Sequence, residues 1–253
     1  MKKYLPFILL GVGVLVLVGV IFFVRGRGKD EVVEEENVAE IPFELRPVAS
    51  LTPSEDGHWL NMVIEKIVFD AASMDYELLY NLPDGRTQGV PGTIKMDGQD
   101  AIERDLLLGS ESSGKFRYDE GVENGTLTIR FRNDKGKLTG KLTTDFLLLT
   151  NVSGVESSDG NFAYKFTDPI EEIYYVVMGT FGVPSDPPSG VKSGPYGLFS
   201  SVDAEEDKAE LLTGTAEVKG YTPYLHLLGD EWVIHGEDAP LESASNIFIG
   251  TGE

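Results

Sequence analysis

Tyr221-Thr-Pro-Tyr-Leu-His-Leu-Leu-Gly-Asp-Glu-Trp-Val-Ile-His235 is the stretch that fixes the character of this chain. Gly229-Asp230 suits the centre of a type II′ turn, which needs a positive φ at its first central residue. With that turn, Leu228 faces Glu231 and Leu227 faces Trp232. Leu225, Leu227, Trp232 and Ile234 then share one face, and Tyr224, His226, Leu228, Glu231, Val233 and His235 share the other. The period is two. The segment reads as a half-buried β-hairpin.

The same signal recurs from Ile41 onward. Trp59–Phe69 is an apolar, β-branched run, and Tyr76–Tyr80 closes on the turn Leu82-Pro83-Asp84-Gly85. Leu106–Leu108 ends at Gly109. Thr126–Phe131 alternates and is followed by the turn Asn133-Asp134-Lys135-Gly136. Phe146–Leu149 precedes the turn Ser158-Asp159-Gly160-Asn161, after which Phe162–Phe166 alternates again. Ile173–Met178 is continuously apolar, as a strand buried on both faces should be. Pro184–Tyr196, with four prolines and two glycines, reads as a long surface loop. Val202–Leu212 suits either a helix or an acidic hairpin tip.

At least ten strands and hardly a helix predict an all-β fold. The expected form is an antiparallel β-sandwich, immunoglobulin-like in general shape but without the Cys and Trp hallmarks. An echo between Leu106–Tyr118 and Leu147–Tyr164 suggests two sub-domains meeting near Lys137.

Ahead of this domain, Tyr4–Val24 carries no charge over a length that spans the ~30 Å hydrocarbon core of a bilayer. It is longer than a signal-peptide core and lacks an Ala-x-Ala cleavage pattern. The expected order is a short tail at 1–3, a single transmembrane helix at 4–24 behind which the fold sits, a charged tether at 25–40, and the β-domain at 41–253. Lys2 and Lys3 precede the helix while Arg25, Arg27 and Lys29 follow it, so the basic flanks nearly balance. A three-residue leading tail fits a signal anchor, with the C-terminal domain outside the cell membrane.

Of the 21 basic residues, five lie in residues 1–29, which leaves 16 against all 42 acidic ones, a net of −26. Phosphate binding needs clustered Lys and Arg, so this domain should repel nucleic acid and suit a basic partner. With no cysteine there is no disulfide, thiolate metal site or cysteine nucleophile.

Gly109–Lys115 spells GxxxxGK, yet Phe116 stands where a phosphate loop needs Ser or Thr, and the next residues alternate like a strand. No nucleotide is expected. Ser112–Lys115 and Ser189–Lys192 spell SxxK in Gly/Ser-rich loops without the partner motifs of serine acyl transfer. The hairpin places His226 and His235 on one face with Glu237 able to continue it, a weak zinc pattern. Exposed histidines on a solvated strand are the competing reading. Tyr196 and Tyr224 are the aromatic candidates for ligand recognition. No cofactor is implied.

These readings point to a single-pass membrane protein whose acidic β-sandwich binds or scaffolds in the envelope without catalysis. Its partners would be the lipid bilayer, through the helix, and a protein or glycan. A metal-dependent hydrolase and an accessory subunit of a membrane complex are the alternatives.

Overall fold

The computed structural model describes residues 38–68, 70–168, 171–202, 213–236, 241 and 246–252. The expected transmembrane run and most of its tether lie outside the described residues, as do Glu237 and the segment 203–212. Among the described residues no helix is long and apolar enough to cross a membrane. The fold is all-β and antiparallel, and among the described residues its only helical element is a 3-10 turn at Phe43–Leu45.

In chain order the strands are β1 (Val48–Pro53), β2 (Trp59–Glu65), β3 (Ser73–Asn81), β4 (Thr87–Lys95), β5 (Ile102–Leu107) and β6 (Gly109–Ser112). Next come β7 (Lys115–Tyr118), β8 (Asn124–Arg132), β9 (Leu138–Thr150), β10 (Gly154–Glu156), β11 (Phe162–Phe166) and β12 (Tyr174–Gly179). The last are β13 (Val191–Ser200), β14 (Gly214–Val218), β15 (Tyr224–Leu228), β16 (Glu231–His235) and β17 (Asn246–Thr251). A nine-stranded sheet runs β16-β15-β17-β13-β12-β9-β8-β3-β4. Two small sheets, β1-β2-β5 and β10-β11-β14, accompany it, and β6-β7 forms a separate two-stranded arm.

Alternation sets which side chains go inward. Along β8, Leu127, Ile129 and Phe131 are fully buried, while Arg130 and Arg132 turn outward. There Arg132 donates to Asp75 on β3 at 2.6 Å and Arg130 to Glu77 at 3.2 Å, closing the outer face with charge-assisted bonds. The inner residues of β3, β8 and β9 form one core with Leu51 of β1, Leu60, Met62 and Ile64 of β2 and Leu106 of β5. A second core joins Phe162, Tyr164 and Phe166 of β11 to Tyr196, Leu198, Tyr224 and Phe248 of the large sheet. The apolar run of β12 serves both. Val176 and Met178 enter the first core and Tyr175 and Val177 the second.

The two small sheets share a strand order and a turn. Ser54-Glu-Asp-Gly-His-Trp59 joins β1 to β2, and Ser157-Ser-Asp-Gly-Asn-Phe162 joins β10 to β11. In the first, Ser54 Oγ donates to Asp56 Oδ1 at 2.6 Å, and the amides of His58 and Trp59 donate to that carboxylate and to Ser54 Oγ. Ser157, Asp159, Asn161 and Phe162 repeat every one of these bonds. The echo expected between Leu106–Tyr118 and Leu147–Tyr164 therefore pairs different elements, β5 to β7 in one case and β9 to β11 in the other. Lys137 sits in the turn between β8 and β9, which pair along their lengths in the same sheet.

One expectation is corrected. The Pro/Gly-rich segment is not all loop, because Val191–Ser200 is a strand between β12 and β17. Its pairing to β17 shifts register between Ser193 and Tyr196, and Pro195 lies in that irregularity, where no ladder amide is required of it. The Pro195 carbonyl still accepts from the Thr180 amide at 3.1 Å.

Candidate functional site

The exposed aromatic groups of this fold concentrate on the β6-β7 arm. Gly109–Lys115, the GxxxxGK match, forms β6, the turn and the first residue of β7, with Ser113 and Gly114 both at positive φ (53° and 75°) as a type I′ hairpin requires. The arm is rooted in the β1-β2-β5 sheet. The Leu108 amide donates to the His58 carbonyl, and the Asp119 amide donates to the Leu108 carbonyl, both at 2.9 Å.

Phe116 and Tyr118 alternate onto one face of β7, where they are 46% and 37% exposed. His58 stacks on Tyr118 with centroids 4.2 Å apart and planes 12° from parallel. Phe116 lies parallel to Tyr118 at 6.3 Å, and Trp59 meets Phe116 edge-on at 5.6 Å. Carboxylates edge this row of rings. Asp56 Oδ2 is 3.2 Å from His58 Nδ1, without hydrogen-bond alignment, and Glu120 Oε1 is 3.4 Å from His58 Nε2. The Asp56 carboxyl is held below its ordinary range, chiefly by the Ser54 hydroxyl.

Beside the arm's base opens a cavity of about 270 Å³ lined by Asp56, His58, Glu120, Val122, Leu148 and Tyr174. Beneath the arm, the Tyr80 hydroxyl donates to Asp119 Oδ2 at 2.9 Å, and burial followed by that carboxylate pushes the phenol upward.

The histidines singled out from sequence do come together. The hairpin register is the expected one, with Leu228 opposite Glu231 and Leu227 opposite Trp232, and Gly229 has a φ of 58°. His226 and His235 meet edge to face with centroids 5.0 Å apart. His226 is not on a solvated strand: it is 4% exposed against Phe248, because the second core covers the Tyr224 and His226 face of β15 while Leu225 packs with Val183 and Ile249 on the other. Burial, and secondarily the charge of His235, lower its pKa to about 4. Its Nδ1 has no hydrogen-bond partner. Glu237 lies outside the described residues. Among the described residues no three His, Cys, Asp or Glu side chains form a metal-ligating group.

Tyr196 and Tyr224 are both buried and pack on neighbouring aromatic rings. Tyr196 is 6% exposed and stacks on Phe162, its hydroxyl donating to Asp159 Oδ2 at 3.0 Å. Tyr224 is 3% exposed, and burial pushes its phenol up to about 12. A separate groove of about 680 Å³ runs along β11 and β14 past Tyr164, Tyr221 and Tyr224.

Sequence reasoning passed over His58, Trp59, Phe116 and Tyr118. The alternation of Phe116-Arg117-Tyr118 was legible, but nothing local says that this strand has no sheet above it. No protein-family model matches the sequence, and no curated protein matches it.

Proposed function

We propose that the chain is a single-pass, membrane-anchored β-sandwich protein displayed outside the cell membrane, with a non-enzymatic binding or scaffolding role in the envelope. The uncharged run Tyr4–Val24 supports the anchor, and the two small sheets sharing cores with the large one support the sandwich. The repeated Ser-x-Asp-Gly turns support two related halves, the second beginning after β9. The observation that carries the binding role is the arm, on which rings and carboxylates are held in the open by a rigid sheet. The net charge of −21 favours a basic partner, including one within a membrane complex.

Capture of the full-length protein after crosslinking in its native membrane tests this reading. A partner that copurifies, and that is released by salt when crosslinking is omitted, is the expected result. A substrate hydrolysed by the purified protein overturns it. The meeting of His226 and His235 favours a second reading, a metal-dependent hydrolase with Glu237 as a further ligand. Zinc in the purified protein that is lost in His226→Ala would support that alternative.

A further inference from the structure

We infer that the arm's aromatic face, with His58 at its base, is a recognition site for a cationic side chain, a lysine or arginine presented by a basic peptide segment of a partner protein. This rests on the binding reading above and names its site and its ligand.

The faces of aromatic rings carry negative potential and attract ammonium and guanidinium groups. Phe116 and Tyr118 offer such faces in solvent, in a parallel row that ends on His58. The carboxylates lie on the same side. Glu111 is the register partner of Phe116 and so shares its face of the arm, and Asp56 and Glu120 flank His58. The arm's own cations, Lys115 and Arg117, alternate to the opposite face, where their register partners are Ser112 and Ser110. A cation approaching the rings therefore meets three carboxylates near it and a net charge of −21 behind them, whereas an anion is repelled.

The second half of the chain provides an internal comparison. At the equivalent turn Asn161 stands for His58 and Phe162 for Trp59, and Phe162 is 1% exposed in the second core. There β14 is followed by β15 after only 219–223, with no hairpin in between. The shared framework builds a core without the arm. The rings left in solvent in the first half thus have no counterpart needed for packing.

The test is fluorescence anisotropy of a labelled hexalysine peptide with the full-length protein in detergent, alongside hexaglutamate and a neutral β-linked glucose hexamer. Two variants separate rings from charge: Phe116→Ala/Tyr118→Ala, and Glu111→Gln/Glu120→Gln. All four positions are exposed, and an unchanged circular-dichroism melt confirms folding. Expected are hexalysine binding that weakens about tenfold on ring removal, a shallower salt dependence on charge removal, and no hexaglutamate binding. Hexalysine binding unchanged in the ring variant overturns the proposal and reduces the effect to net charge. Binding of the glucose hexamer, lost in the ring variant, overturns it in favour of a sugar site. No hexalysine binding by the wild type also overturns it. Partner capture from the native membrane that persists with the ring variant leaves the binding reading standing while this site falls.

Discussion

Tyr175 and Val176 are adjacent on β12 yet belong to different cores. Tyr175 packs with Phe166 at a centroid distance of 4.4 Å under the β10-β11-β14 sheet, and Val176 packs under the β1-β2-β5 sheet. Because a strand alternates, β12 is the shared wall through which the two cores are mechanically joined.

The first prediction follows from that wall. Val176→Ala deletes two buried methyl groups from the first core and Val177→Ala two from the second, and each should destabilise by on the order of 2 kcal/mol. Both should lower the midpoint of one cooperative transition in thermal melts. Two separated transitions, each moved by only one of the variants, would contradict a shared wall.

Outside the first core, the Arg132–Asp75 pair is partly shielded and Thr93 also donates to Asp75 at 2.8 Å. A double-mutant cycle with Arg132→Met and Asp75→Asn should give a coupling of about 1 kcal/mol that shrinks in high salt. A coupling near zero at low salt would show that the pair only decorates the surface.

Acid should loosen the edge hairpin. His226 takes up its proton at about pH 4 in the folded protein instead of at its ordinary 6.5. The unfolded chain therefore binds more protons between those values, and stability falls as pH drops through that window, by on the order of 3 kcal/mol once pH is below 4. His226→Phe keeps the packing on Phe248 and removes an imidazole whose Nδ1 is unpartnered. Melts of this variant should match wild type near pH 7 within about 1 kcal/mol and show a flatter acid limb. An identical acid limb would remove His226 from the explanation.

Two glycines should respond differently to alanine. At Gly125 of β8 a Cβ would lie 2.1 Å from the Leu79 carbonyl oxygen, and backbone cannot yield as a side-chain tip can. Gly125→Ala should cost roughly 3 kcal/mol. At Gly136 nothing stands within 4 Å, but φ is 73°, so Gly136→Ala should cost only about 1 kcal/mol. Chemical denaturation of both variants checks the order, and the reverse order would contradict the packing of β8 on β3.

Much of the fold was legible because its signals are local. The hairpin at Gly229-Asp230, the alternation of Leu127, Ile129 and Phe131, and the doubly buried run at Ile173–Met178 all depend on residues a few positions apart. The strand at Val191–Ser200 was not legible. Pro195 and its glycines argue for loop until the pairing of β13 with β12 and β17 supplies an irregularity that accommodates them. The candidate site was read at His226, Tyr196 and Tyr224 because aromatic and imidazole groups attract notice in sequence. Their burial came from the second core, which is assembled from strands β10 to β15 together with β17.

By itself the sequence determined an uncharged leading run, a strongly acidic remainder and antiparallel β-structure, since charge, period and turn chemistry act between near neighbours. Only the tertiary structure decided that Ser54–Trp59 and Ser157–Phe162 make the same turn, that β12 separates two cores, and that partly buried His58 meets Glu120 and stacks on Tyr118, which with Phe116 stands exposed. Those arrangements join residues tens of positions apart. Their closeness is set by sheet register and by which apolar faces cover one another, a choice made by the whole chain at once.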